Sequence, residues 1–162
     1  MLKLLSRVRR VHALEHATLH LMPRQAVRGQ LLGRSDPGGF TVYGDADTAT
    51  LSAASHEALV RLQAGQADLA IHPNCGTNLA VGGLLVLLAG CLALAGGRRR
   101  RGEQGVLAAV LVSAALGAAQ PLGRLAQKHL TTDARVGNLR VDSPVYSRYR
   151  GVVCHRIAVR EG

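Results

Sequence analysis

Three residues near the amino terminus have the chemical types and the spacing of a metal site. His12 and His16 are four residues apart, and Glu15 directly precedes the second histidine. Side chains at this spacing lie one above the other on one face of an α-helix, so two imidazoles can bind one ion from successive turns. Glu15 lies about 60° around the helix from His12 and about 100° from His16, so it can reach a metal-bound water without acting as a ligand.

The pattern H-x-x-E-H is the zinc motif of the inverzincin metallopeptidases. In that chemistry two histidines hold zinc, the glutamate takes a proton from the bound water, and a third ligand comes from elsewhere in the chain. The alternative is a helix whose histidines face solvent or form ordinary hydrogen bonds. Leu5, Val8 and Leu19 fall on the same side of the helix as the motif. Apolar residues mixed with the motif favour a buried or cleft-lining face, and therefore a metal site.

A second polar cluster lies in the turn that contains His72 and Cys75, three residues apart. Pro73 stiffens this turn, and Gly76 permits a tight bend. Taken alone, the turn fits a structural role as well as ligation. Next to H-x-x-E-H it favours ligation by His72, Cys75 or both, of Zn²⁺ or another divalent transition metal. Glu57, on a predicted helix, is a further candidate for the third ligand.

The charge of the chain indicates a membrane surface rather than nucleic acid. Lys and Arg number 20 against 10 Asp and Glu, which gives a net charge of +10. Such a balance is typical of proteins that bind nucleic acid or anionic lipid. One Phe, three Tyr and no Trp are too few aromatic residues for base stacking. We therefore expect the lipid bilayer as a partner and no nucleic acid.

Two uncharged segments predict a pair of transmembrane helices. No charged residue occurs over residues 69–97 or over residues 104–123. We expect a transmembrane helical hairpin over residues 79–125, with an arginine-rich loop at 98–105, because a helix over residues 79–96 spans about 27 Å. The alternative, a buried helix pair in a soluble protein, is disfavoured because so small a domain cannot cover two helices that are apolar all round. The expected location is the cell membrane, with the side of the soluble part left open.

The remaining segments predict an α+β fold in which both ends of the chain form one unit. Within a head over residues 1–78, the expected elements are a helix over 1–22, a β-hairpin over 26–44, a helix over 48–64 and a strand over 67–71. Pro23 ends the first helix, and Asp-Pro-Gly-Gly supplies the turn of the hairpin. Residues 126–162 are expected to form a β-rich tail that packs on the head.

Four sequence motifs resemble those of a family of bacterial two-helix membrane proteins with no assigned function. They are His-Ala-Leu-Glu-His-Ala-Thr from His12, Gly-Arg-Ser-Asp-Pro-Gly-Gly from Gly33, Ile-His-Pro-Asn-Cys-Gly-Thr-Asn from Ile71 and Pro-Leu-Gly from Pro121. More distantly, the chain resembles a larger uncharacterised set described as predicted metal-dependent membrane enzymes. This second likeness covers His12, Glu15, His16, His72, Pro73, Cys75, Gly76 and Thr77. It implies a metal-dependent activity at these residues.

Two functional hypotheses follow. The first is a membrane-anchored zinc hydrolase, possibly peptidase-like, in which His12, His16 and one of His72 or Cys75 hold the ion and Glu15 is the base. Its substrate is a peptide, an amide or an ester near the bilayer. The second is a non-catalytic, metal-stabilised membrane module that assembles with a membrane protein partner or as a homo-oligomer. A closed set of four ligands favours the module, and three ligands with an open position favour the enzyme.

Overall fold

A computed structural model describes residues 2–95 and 101–162 of the chain. The chain divides into two compact units. The first, called the α+β unit, contains Met1–His72 and Lys128–Gly162. The second, called the hairpin unit, contains Pro73–Gln127. The two ends of the chain therefore form one unit, with a helical pair inserted between them, as the sequence predicts.

The first helix, α1, spans Leu2–Leu21 and carries the H-x-x-E-H motif on its buried side. Val11, Leu14 and Ala17 are fully buried within the α+β unit. Glu15 and His16 are nearly as buried, with 4% and 2% of their surfaces exposed. A helix followed closely by proline ends there, because proline lacks an N–H donor and clashes with the preceding turn. The predicted first helix is confirmed.

A five-stranded antiparallel sheet forms the other layer of this unit. Its strands are β1 (Val27–Asp36), β2 (Gly39–Ala46), β3 (Leu139–Val141), β4 (Val145–Tyr149) and β5 (Val152–Glu161). β2 pairs with β1 on one side and with β5 on the other. β3 and β4 both pair with β5. The tail of the chain thus continues the sheet that the amino-terminal hairpin begins, which confirms the predicted α+β class.

The second helix, α2, spans Thr48–Gln63 and covers the core together with α1. The Asp47 side chain caps it by accepting a hydrogen bond from the backbone N–H of Thr50 at 2.7 Å. Its apolar stripe is buried, as the spacing of its leucines and alanines predicts. The largest fully buried apolar side chains of the unit are Phe40, Leu14, Leu51, Leu139, Ile157, Val11, Val42, Val136 and Val159.

Two local predictions are wrong. The strand expected over residues 67–71 is instead a 3₁₀ turn, Ala67–Ala70. Alanine and aspartate are poor strand formers, and the segment closes a local hydrogen bond from Ile71 N–H to the Asp68 carbonyl at 3.2 Å. The loop expected over residues 98–105 is helical from Arg101 onward; residues 98–100 lie outside the described part of the chain.

The hairpin unit consists of α3 (Gly76–Ala95) and α4 (Arg101–Ala126), which pack against each other. Gly123 lets α4 approach α3 closely, because a Cβ there would overlap the Asn78 side chain. Many large apolar side chains of both helices are exposed in the structure, including Leu84, Leu87, Leu92 and Val110. A π-helical turn, Gln127–Thr131, follows α4 directly. In the described part of the chain, α3 and the helical segment Gly102–Thr131, which joins α4 to this turn, are long enough and apolar enough to cross a membrane.

Candidate metal centre

His12 and His16 lie side by side on α1, and each is held by a backbone carbonyl from a distant segment. Their ring centroids are 4.3 Å apart. The Nδ1 atom of His12 contacts the Thr131 carbonyl oxygen at 3.0 Å, and that of His16 contacts the Ala70 carbonyl oxygen at 2.8 Å. A carbonyl oxygen can only accept, so each Nδ1 carries the proton and each Nε2 carries the lone pair. This is the tautomer and the support that metal-binding histidines have in proteins.

His72 lies near these rings and is closer to a histidine that the sequence reasoning missed. Its ring centroid is 5.7 Å from that of His16 and 4.7 Å from that of His20. His20 continues the four-residue series of His12 and His16, and this spacing was the available signal. Burial above all, and then electrostatic interactions with His20 and His16, lower the pKa of His72 to about 4. His72 is therefore neutral near pH 7, which is the form of imidazole that binds metals.

Glu15 is held in the buried site by two residues of β1. The Ser35 hydroxyl donates a hydrogen bond to Glu15 Oε2 at 2.5 Å. Gly33 lies directly against the carboxylate, so a Cβ at that position would overlap Oε1. From the sequence, this segment is predicted only as one arm of a hairpin. The signal for its role was a glycine inside a strand, which often marks a close approach by another group.

Cys75 belongs to the hairpin unit and directly precedes α3. Its Sγ accepts a hydrogen bond from the Thr77 backbone N–H at 3.4 Å. The amino-terminal end of a helix is a favourable environment for negative charge. Only two residues separate Cys75 from His72, so covalent geometry alone keeps their Cα atoms within about 11 Å of each other. Ligation by Cys75 stays a prediction.

Glu57, the further candidate for the third ligand, lies on α2 in an ion pair. Its Oε1 accepts a hydrogen bond from Arg61 Nε at 2.7 Å, one helical turn away. Both side chains are largely exposed, with 49% and 42% of their surfaces accessible. Glu57 is therefore an ordinary surface carboxylate. Glu15, in contrast, is buried and contacts Ser35 and Gly33 of β1.

The chain thus consists of the α+β unit and the hairpin unit. Comparison with known sequences shows the family to which it belongs. Residues 7–143 match the model described as "Domain of unknown function (DUF6391)". The chain therefore belongs to the DUF6391 family, which confirms the expected membership of an uncharacterised family. The likeness to metal-dependent membrane enzymes stays a prediction.

An uncharacterized protein of Picosynechococcus sp. (strain ATCC 27264 / PCC 7002 / PR-6) is 36% identical over 139 residues. The aligned region covers 77% of this chain and 65% of that relative, so the chain spans less than two thirds of the relative's length. No solved structure matches the chain.

Replacement of Gly33 by alanine is expected to displace the Glu15 carboxylate, because the new methyl group occupies its position. The chain has four glutamates, so ¹³C labelling at the glutamate carboxyl carbon gives a simple spectrum, in which Glu15→Gln identifies the Glu15 resonance. We expect this resonance to shift in Gly33→Ala. Arg34→Ala, which changes the exposed neighbouring residue, should leave it in place. An unchanged resonance in Gly33→Ala would contradict the contact.

Proposed function

We propose that the chain is a membrane-anchored, zinc-dependent hydrolase whose catalytic centre is the H-x-x-E-H motif. The main support is the state of the two motif histidines. Both have Nδ1 bound to a backbone carbonyl, and both therefore present Nε2 as the donor atom. A buried carboxylate that serves as a base, Glu15, stands between them in the sequence.

The metal-binding residues are His12, His16 and a third ligand from the turn that begins at His72. We assign the third position to Cys75, which follows His72 by three residues in this turn and accepts a hydrogen bond at Sγ from the Thr77 backbone N–H. Imidazole nitrogen and cysteine thiolate are both usual zinc ligands in proteins. Zinc held by three protein ligands keeps one coordination position for water and lowers the pKa of that water towards ~7.

Glu15 is the general base of the proposed reaction. It accepts a proton from the attacking water and returns it to the leaving group of a peptide, an amide or an ester. Its burial strengthens electrostatic interactions inside the site. The hydrogen bond from Ser35 holds one carboxylate oxygen and so fixes the orientation of the other.

The hairpin unit anchors the enzyme in the membrane. The apolar side chains that α3 and α4 leave exposed suit a lipid environment, where helices satisfy their own backbone hydrogen bonds. The substrate is accordingly a molecule that lies at or near the bilayer surface.

A second candidate function is the non-catalytic module that assembles through the same helices. Gly83 and Gly90 are seven residues apart on α3, and no described residue occupies the space that a side chain there would fill. Small residues on an open helix face permit close approach by another helix. Under this hypothesis, the metal stabilises the α+β unit, and the hairpin unit contacts a partner protein or a second copy of the chain.

Replacement of Glu15 by glutamine separates the two functions. The amide keeps the shape and the hydrogen bonding of the side chain but cannot accept the proton. Metal content should stay near that of the wild type, while turnover of a peptide and ester panel in detergent falls by about 10²–10⁴. Glu57→Gln, which changes the exposed glutamate of α2, should affect neither quantity. Fully metallated wild type that hydrolyses no member of the panel favours the module.

Replacement of Cys75 by alanine tests the third ligand. Loss of a ligand should lower zinc affinity by more than the 10–100-fold that the loss of an outer hydrogen bond costs. Cys91→Ala is the matched control, because Cys91 is an exposed thiol on α3. Zinc affinity is measured by competition with a chromophoric chelator. Equal affinities in Cys75→Ala and wild type would exclude Cys75 as a ligand.

Membrane anchoring predicts that the full-length chain remains in the pellet when membranes are washed with carbonate at high pH. Carbonate releases proteins held by surface charge, whereas helices inside the bilayer stay. Immunoblotting of pellet and supernatant gives the result. Recovery of the intact chain in the supernatant would contradict the membrane location.

A further inference from the structure

His20 and His72 form a second histidine pair, outside the H-x-x-E-H motif. Their ring centroids are 4.7 Å apart, and the ring planes are inclined by 58°. With Zn–N bonds of about 2.0–2.1 Å, two imidazoles that share one tetrahedral ion have ring centroids roughly 5 Å apart. The observed separation therefore matches a pair of rings that can bind one ion together.

The His20 ring is held in the tautomer that such a pair needs. Its Nε2 contacts the Ile71 carbonyl oxygen at 2.8 Å. The carbonyl only accepts, so Nε2 carries the proton and Nδ1 carries the lone pair. Ile71 is the residue directly before His72, so the same hydrogen bond holds the His72 backbone beside His20.

The second pair is open to solvent, whereas the motif histidine nearest to it is not. His20 is exposed and His72 is half-buried, while His16 has only 2% of its surface exposed. The His72 and His16 ring centroids are 5.7 Å apart. His20 and His72 are therefore more accessible to an ion from solvent than His16 is.

We propose that His20 and His72 form a second, weaker and solvent-facing transition-metal site, which takes up the ion and passes it to His12 and His16. Solvent water completes the coordination, since Zn²⁺ readily keeps water as a ligand. The delivery step rests on the proposed function, because it requires the motif to bind metal. The existence of the second site does not.

The test is zinc binding by the detergent-purified full-length chain, measured by equilibrium dialysis. The wild type should bind two equivalents of Zn²⁺ with different affinities. His20→Ala and His20→Gln should both lose the weaker equivalent and keep the tighter one. His20→Gln retains an N–H donor for the Ile71 carbonyl, so it separates ligation from helix stability. Circular dichroism checks that the helix content is unchanged.

His56→Ala is the matched control. His56 is also an exposed helix histidine whose Nδ1 contacts a backbone carbonyl, that of Ser52 at 2.9 Å. Its ring contacts no other histidine ring in the described part of the chain. Both equivalents should remain in this variant. In rapid mixing with Co²⁺, His20→Gln should fill the tighter site several-fold more slowly than wild type and His56→Ala, with the same final occupancy.

The outcomes separate this proposal from the proposed function. If the His20 variants keep both equivalents with wild-type affinities, or if the wild type binds a single equivalent that only His12→Ala removes, the second site is wrong. If the single equivalent is instead removed by the His20 variants and kept by His12→Ala, the second site stands and the proposed catalytic centre fails. Equal Co²⁺ loading rates in all variants would overturn the delivery step.

Discussion

The hydrogen bonds from His12 and His16 to two backbone carbonyls are the constraint on which the candidate site depends. The Thr131 carbonyl is 119 residues from His12 in sequence, and the Ala70 carbonyl is 54 residues from His16. Each bond fixes the tautomer and the orientation of its ring. Each also ties a distant segment to α1, so the fold of the α+β unit and the chemistry of the histidines are set by the same contacts.

The rest of the α+β unit keeps α1 in position for these bonds. Arg9 Nη2 donates to the carbonyls of His129 and Thr132, on either side of the carbonyl that holds His12. Arg7 Nη2 donates to the Val159 carbonyl of β5 at 2.8 Å. The arginines that precede the motif thus connect α1 to the carboxy-terminal part of the chain through hydrogen bonds to backbone carbonyls. Arg7 and Arg9 therefore have a structural role in the α+β unit.

The sequence predicts the helices and strands better than it predicts which residues contact the motif side chains in the candidate site. The four-residue spacing and Pro23 define α1, and the Asp-Pro-Gly-Gly turn defines the hairpin, because these signals are local. The roles of Ser35 and the Ala70 carbonyl depend on which segments fold against α1, and no local pattern carries that information. A glycine inside a strand signals a close approach at Gly33 but does not identify Glu15 as the group that approaches. The 3₁₀ turn before His72 has the same cause, since a short apolar run does not by itself distinguish a strand from a helical turn.

The most direct test of the account is X-ray absorption spectroscopy at the zinc K edge, on the full-length chain loaded with one equivalent of Zn²⁺. We predict imidazole scattering with nitrogens at about 2.0–2.1 Å and one sulfur at about 2.3 Å. The sulfur contribution should be absent in Cys75→Ala, and the imidazole contribution should fall in His12→Ala. A shell of oxygen atoms without imidazole scattering would contradict a metal centre built on His12 and His16.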